Sequence, residues 1–260
     1  MIFSPPAVLL GLLLSACAVP PAAEAGWQLV WSDEFNRDGA PDPTKWDYAD
    51  GRVRDDTLQF YTRDRAANAR VQGGHLILEV HREHFAGATF TSAGLHTQGK
   101  ASWTHARVEV RARLPCGRCL RPAIRMLSDH LDEVHGPTCG QIDVMECVGF
   151  EPGVVYANVY SGGFNPVHGN GHRTKIPLAD ASETFHVYAV EWDRERMVFS
   201  IDGKSTFTVA NDHTGVQSWP FGAPFWLLCD VAVGDGQPDI DESVFPQRLV
   251  IDWVRVSERR

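Results

Sequence analysis

The feature that most constrains this chain is an alternation of apolar and polar residues with period two. It runs through His75–Val80, Ala106–Ala112, Val154–Tyr160 and Thr184–Trp192, each bounded by Gly, Pro, Asp or Asn. Side chains that alternate in this way stand on opposite faces of a strand, so each run offers one face to a core. A 3.6-residue period never lasts long enough for a substantial helix, which leaves sheet-on-sheet packing as the way to bury the apolar faces. Met197–Ile201 and Ser205–Val209 flank Asp202-Gly203, a pair that supplies the positive φ angles of a tight hairpin turn. Leu249–Val256 reads as a closing strand. The expected fold is all-β, a sandwich of two antiparallel sheets.

With 260 residues, 43% of them hydrophobic, the chain can bury a full core as one sandwich. A formal net charge of −9 with scattered Lys and Arg argues against a nucleic-acid partner, which needs a basic stripe. Residues 1–25 read as a signal and tether, and residues 26–260 as the folded domain. The apolar run Ala7–Leu14 has the length of a secretory signal core and is too short to span a bilayer. It leads into Leu14-Ser15-Ala16-Cys17, which resembles a bacterial lipobox with Cys17 as the acylated residue; Ala23-Glu24-Ala25 offers an ordinary cleavage site instead. The chain is thus expected to be exported, either as an envelope lipoprotein touching the membrane only through Cys17 or as a secreted monomer.

Five cysteines remain beyond Cys17, an odd number, with Cys116 and Cys139 as the favoured bridge. Cys116-Gly117-Arg118-Cys119 lacks the second close pair that a zinc ribbon requires.

The segment Gly140-Gln141-Ile142-Asp143-Val144-Met145-Glu146-Cys147 breaks the alternation, because its polar residues fall at 141, 143 and then 146. A β-bulge absorbing one residue, assigned to Met145, would return Glu146 to the face of Gln141 and Asp143. Carboxyl groups in a row on one sheet face suit glycoside hydrolysis, in which one attacks the sugar and another handles the proton.

This strand resembles the Glu-x-Asp-x-x-Glu signature of glycoside hydrolase family 16, in its laminarinase-like branch. Supporting segments are Trp31-Ser32-Asp33-Glu34-Phe35, Asn68-Ala69-Arg70-Val71, Thr97-Gln98-Gly99-Lys100, Pro122-Ala123-Ile124 and Ile251-Asp252-Trp253-Val254-Arg255-Val256. The resemblance covers almost all of the chain after the tether. It implies a concanavalin-like jelly roll whose concave sheet holds a β-glucan, and retaining cleavage without a catalytic cofactor. The nucleophile, helper and acid/base positions become Gln141, Asp143 and Glu146. It further implies substrate contacts from Asp56, Arg121, Arg125, Asn158, Tyr160 and Gln237, and a structural calcium near Glu34, Gly74 and Asp252.

The departures from the family pattern are as informative as the matches. Gln141 has no anionic oxygen with which to form a glycosyl ester, so hydrolysis by the two-step route should be nearly abolished. Arg121 and Arg125 stand where the family has tryptophans, which removes two stacking platforms; a guanidinium is also suited to an anionic sugar. Gly94 replaces a usual arginine, Tyr160 a common histidine, and Val233–Pro238 a Gly-Gly-Asn-Trp-Pro-like run. Three readings follow: an impaired β-glucan hydrolase, a noncatalytic glycan-binding protein, and a decayed copy with neither property.

Overall fold

The computed structural model describes residues 26–53, 57–131, 136–165, 171–234 and 240–260. Residues 1–25, with the expected signal and Cys17, and the expected contacts Asp56 and Gln237 lie outside the described residues. In chain order the strands are β1 (Trp27–Asp33), β2 (Asp47–Tyr48), β3 (Gln59–Tyr61), β4 (Ala69–Gln72), β5 (His75–Phe85) and β6 (Ala88–Ser92). Then follow β7 (Gly94–His96), β8 (Ala106–Arg113), β9 (Leu120–Ser128), β10 (Gln141–Glu146), β11 (Val154–Tyr160) and β12 (His172–Pro177). The last are β13 (His186–Trp192), β14 (Arg196–Ile201), β15 (Lys204–Ala210), β16 (Phe225–Val233) and β17 (Gln247–Arg259).

They form two sheets. A seven-stranded sheet has the order β12-β11-β10-β9-β16-β7-β2 and carries the candidate site. The ten-stranded back sheet runs β15-β14-β13-β8-β17-β5-β6-β3, with β1 paired to β17 and β4 to β5. All pairings between named strands are antiparallel except β3 with β6, a departure from the purely antiparallel expectation. The hairpin expected at Asp202-Gly203 joins β14 to β15, with both turn residues at positive φ.

The alternation places the core between the sheets. On β8, Val108, Val110 and Ala112 are fully buried while Arg107, Glu109 and Arg111 point outward. On β16, Phe225, Leu227, Cys229, Val231 and Val233 join the core, which leaves Trp226, Leu228, Asp230 and Ala232 on the site face. Each fully buried Phe or Leu contributes about 1.5–3 kcal/mol relative to exposure. Trp46, Trp192 and Trp103 are buried in this layer, whereas Trp253 is half-buried with the Arg255 guanidinium 4.1 Å from its ring centroid.

Cys116 and Cys139 are not bonded to one another; both are free thiols. The register explains why. Gln141 pairs with Leu127, so Cys139 sits at the C-terminal end of β9, whereas Cys116 precedes Leu120 at the other end. Nine residues at about 3.3 Å each separate them, well beyond the ~7 Å Cα separation a disulfide tolerates.

Candidate active site

β10 does bulge, and the irregularity lies between Asp143 and Glu146 on both of its edges. Against β9, Asp143 faces Arg125 and Met145 faces Ile124, so the residue left over is Val144 rather than the expected Met145. Both apolar side chains of the bulge turn into the core, and Glu146 returns to the face of Gln141 and Asp143. The strand is launched by Gly140 at φ +89°, where a Cβ would lie 2.9 Å from Phe225 and 3.0 Å from both Phe221 and Pro220. Only glycine fits that backbone and that gap.

Gln141, Asp143, Glu146 and Asn158 form one hydrogen-bonded group. The Gln141 amide Nε2 donates to Asp143 Oδ1 at 2.7 Å. Asn158, opposite Asp143 on β11, donates from Nδ2 to Asp143 Oδ2 and to Glu146 Oε2, each at 3.0 Å. One amide nitrogen therefore bridges the two carboxylates. Burial pushes the Asp143 carboxyl above its usual range, and the nearby Glu146 charge reinforces this, while Arg125 and the two amide donors oppose it.

The two arginines behave differently. Arg121, half-buried on β9, places Nη2 3.2 Å from Glu146 Oε1. Arg125 is only 6% exposed and lies between two acids, its Nε 3.9 Å from Asp143 and 3.7 Å from Asp230. Its Nε and one terminal nitrogen are buried without a hydrogen-bond partner. Arg125 is thus an internal counter-ion beneath the surface rather than a platform for a sugar ring.

Sequence reasoning missed Asp230 and Tyr61. The Tyr61 hydroxyl donates to Asp230 Oδ2 at 2.5 Å, which extends the buried polar row across β16 toward β3. A lone acid inside the apolar run Phe225–Val233 was the available signal. It also missed the far rim, where the Arg173 guanidinium lies 3.7 Å from the Tyr156 ring centroid and Lys175 donates to Glu151 at 2.9 Å. Tyr160 faces Gln141 across β10 and β11, and burial pushes its hydroxyl pKa up. Trp226 and His96 hold the opposite flank, with ring centroids 5.5 Å apart. Gly94 is packed against Ala49 and Asp230, so the larger side chain of the family pattern would need its neighbours to move.

The expected calcium residues are neighbours, since Asp33 pairs with Val254 and Leu76 with Ile251. The carboxylates do not converge on a cation, however. Glu34 accepts both arms of Arg255 at 2.9 and 2.8 Å, and Asp252 accepts from Arg111 with His75 at 3.5 Å. Oxygen ligands already engaged by guanidinium groups do not suit a calcium cage. Among the described residues no group of three or more His, Cys, Asp or Glu is arranged to hold a metal.

Comparison with known proteins bears on the whole arrangement. The profile of the glycosyl hydrolases family 16 matches residues 55–255. A beta-glucanase from Rhodothermus marinus is 44% identical over 242 residues, spanning 88% of this chain and 85% of that protein. A keratan-sulfate endo-1,4-beta-galactosidase from Sphingobacterium multivorum is 34% identical over 94% of this chain and 57% of its own length. The X-ray structure of the laminarinase from Rhodothermus marinus superposes with a TM-score of 0.86 at 43% identity, covering 90% of this chain and 98% of that one. The bulged strand, the two-sheet jelly roll and these matches agree, and the chain belongs to glycosyl hydrolase family 16.

Proposed function

We propose that this protein recognises β-1,3(1,4)-glucan in the groove over β9, β10 and β11, and that its retaining hydrolysis is severely impaired by Gln141. The observation that carries this reading is the Gln141 amide, tied to Asp143 in the place where the strand pattern calls for an attacking carboxylate. In the two-step route a carboxylate oxygen bonds to the anomeric carbon while the acid donates its proton to the departing glycosidic oxygen, and water then cleaves the ester. Glu146, which shares the Asn158 amide with Asp143, is the group this reading assigns to the proton. The neutral amide oxygen of Gln141 is a poor nucleophile, so the first bond does not form at a useful rate.

A second reading, binding without turnover, is favoured by the same residue and differs only in residual rate. An anionic sugar is less favoured, because Arg125 already sits between Asp143 and Asp230 and Arg121 is engaged by Glu146. The leader and Cys17 support export with a lipid anchor, which labelling with a radioactive fatty acid in the native host, compared with Cys17→Ser, would test.

The decisive experiment measures reducing-sugar release from laminarin and lichenan by the unmodified chain and by Gln141→Glu, beside retention on insoluble β-1,3-glucan. Gln141→Glu is expected to raise turnover by about a hundredfold or more, with retention unchanged. Ready turnover by the unmodified chain would sink the impairment. Absence of both retention and rescue would sink glucan recognition itself.

A further inference from the structure

From the rim of the groove we infer a specificity-determining residue, Arg173 on β12, which takes a carboxylate or sulfate substituent of the sugar lying over β11 and β12. This rests on the groove reading above and narrows its substrate to a β-glucan that bears acidic groups. Register fixes where Arg173 stands: directly opposite Asn158 on β11, with Lys175 opposite Tyr156. Directly opposed residues share a face of the sheet. Asn158 points to the site face, since it donates to Asp143 and Glu146. β12 is the outermost strand of that sheet, and Arg173 and Lys175 are exposed on it. Two strand spacings, about 10 Å, separate it from β10. The two groups that cleave a glycosidic bond flank it, and their positions here, Gln141 and Glu146, are the two ends of β10. A glycan passing between them therefore crosses the strands and runs out over β11 and β12.

Arg173 lacks an internal partner in a place where acids are close. Its guanidinium lies over the Tyr156 ring, 3.7 Å from the centroid, so one flat face is packed while the N–H edge stays open to the groove. The neighbouring carboxylates are engaged through both of their oxygens. Asp143 accepts from Gln141 and Asn158, and Glu146 from Arg121 and Asn158. Glu151 accepts from Lys175 and from the Tyr156 hydroxyl. Arg173 has no acidic partner among the described residues. Its charge still reaches the site row: the Tyr160 hydroxyl, pushed up by burial and by the Asp143 and Glu146 charges, is drawn back by Arg173.

A guanidinium presents donors in a planar fork and no acceptor, which matches the paired oxygens of a carboxylate or sulfate. Stacking on Tyr156, itself anchored by Glu151, directs that fork before any ligand arrives, so little freedom is lost on binding. On β9 both arginines are already taken by acids; Arg173 on β12 is not. A net charge of −9 repels a polyanion as a whole, so a preference for an acidic glycan has to come from a local cation.

The test compares laminarin, carboxymethyl-laminarin and sulfated laminarin of matched chain length by calorimetric titration at low and at physiological ionic strength. The unmodified chain is expected to bind one of the acidic polymers about fivefold more tightly than laminarin at low salt, with the gap narrowing as salt rises. Which polymer is preferred separates carboxylate from sulfate. Arg173→Gln should bring the three affinities together, and Arg173→Lys, which keeps the charge without the fork, should retain part of the preference. Arg194→Gln, in the exposed turn between β13 and β14, removes the same charge from the protein and should leave the preference intact. Equal affinities in the unmodified chain, or a preference that survives Arg173→Gln, overturn the inference and leave the glucan groove standing. Binding of none of the polymers overturns both. An acidic polymer held through Arg173 with laminarin unbound supports the inference and removes recognition of the unsubstituted glucan.

Discussion

The two sheets handle charge in opposite ways. On the back sheet acids and bases meet at hydrogen-bonding distance: Arg70 with Glu79 at 2.7 Å, Arg248 with Glu79 at 3.1 Å, Arg107 with Glu109 at 3.0 Å. Most of these partners keep contact with water, where an ion pair contributes modestly and fails gently. On the site sheet Asp143, Glu146, Asp230 and Arg125 are all buried, yet Arg125 stays 3.7 to 3.9 Å from its nearest acids and two of its nitrogens are unpaired. Charges held in low dielectric with imperfect pairing burden the fold. The difference teaches that back-sheet ion pairs serve cohesion, while the site sheet keeps an expensive polar row in place because the surrounding strands leave it nowhere else to go.

That contrast can be broken most severely at Arg125. Arg125→Met leaves Asp143 and Asp230 without their shared cation and is expected to cost about 3–5 kcal/mol, read as a fall in Tm. The loss should shrink at acidic pH, since a protonated Asp143 needs no counter-ion. A variant as stable as the parent would show that the arginine is a net burden and erase the distinction between the sheets.

Asn158→Leu comes next, because both carboxylates lose their common donor; a cost of about 3 kcal/mol is expected in urea unfolding. The smallest effect belongs to the back sheet. Glu83, about one-third exposed, is held well below the usual carboxylate range, at about 2, chiefly by its hydrogen bonds from Arg65 and also from Thr91, against some desolvation. Its folded pKa is depressed, so its stabilisation is present above the unfolded value of 4.5 and disappears as pH falls toward 2. Glu83→Gln should therefore cost about 0.5–1 kcal/mol at neutral pH, discounted for solvent access, and converge with the parent between those two values. A difference that persisted at pH 2 would mean that Glu83 acts through packing rather than charge.

What the sequence disclosed was local. The broken alternation at 141, 143 and 146 pointed to a bulge and to three side chains on one face, because strand parity depends only on neighbours. It placed the extra residue one position late, since which of two adjacent apolar residues escapes pairing depends on β9. The Tyr61 to Asp230 bond joins positions 169 apart, and no periodicity reports such a partner. Cysteine counting failed for the same reason: it registers an odd thiol but not that β9 stands between Cys116 and Cys139. Reading Arg121 and Arg125 as one kind of replacement also failed, because exposure separates a rim guanidinium from a buried counter-ion.

The extra residue in β10 works as a phase shift. Ahead of it, odd-numbered side chains lie on the site face; behind it, an even-numbered one does. Deleting Val144 would restore an unbroken rhythm in which Ile142 and Met145 turn inward and Gln141, Asp143 and Glu146 all stay on the site face. Such a chain would keep its polar row and lose one apolar side chain from the core. What the irregularity sets is how far Glu146 stands from Asp143 along the strand, and not the side of the sheet on which it stands.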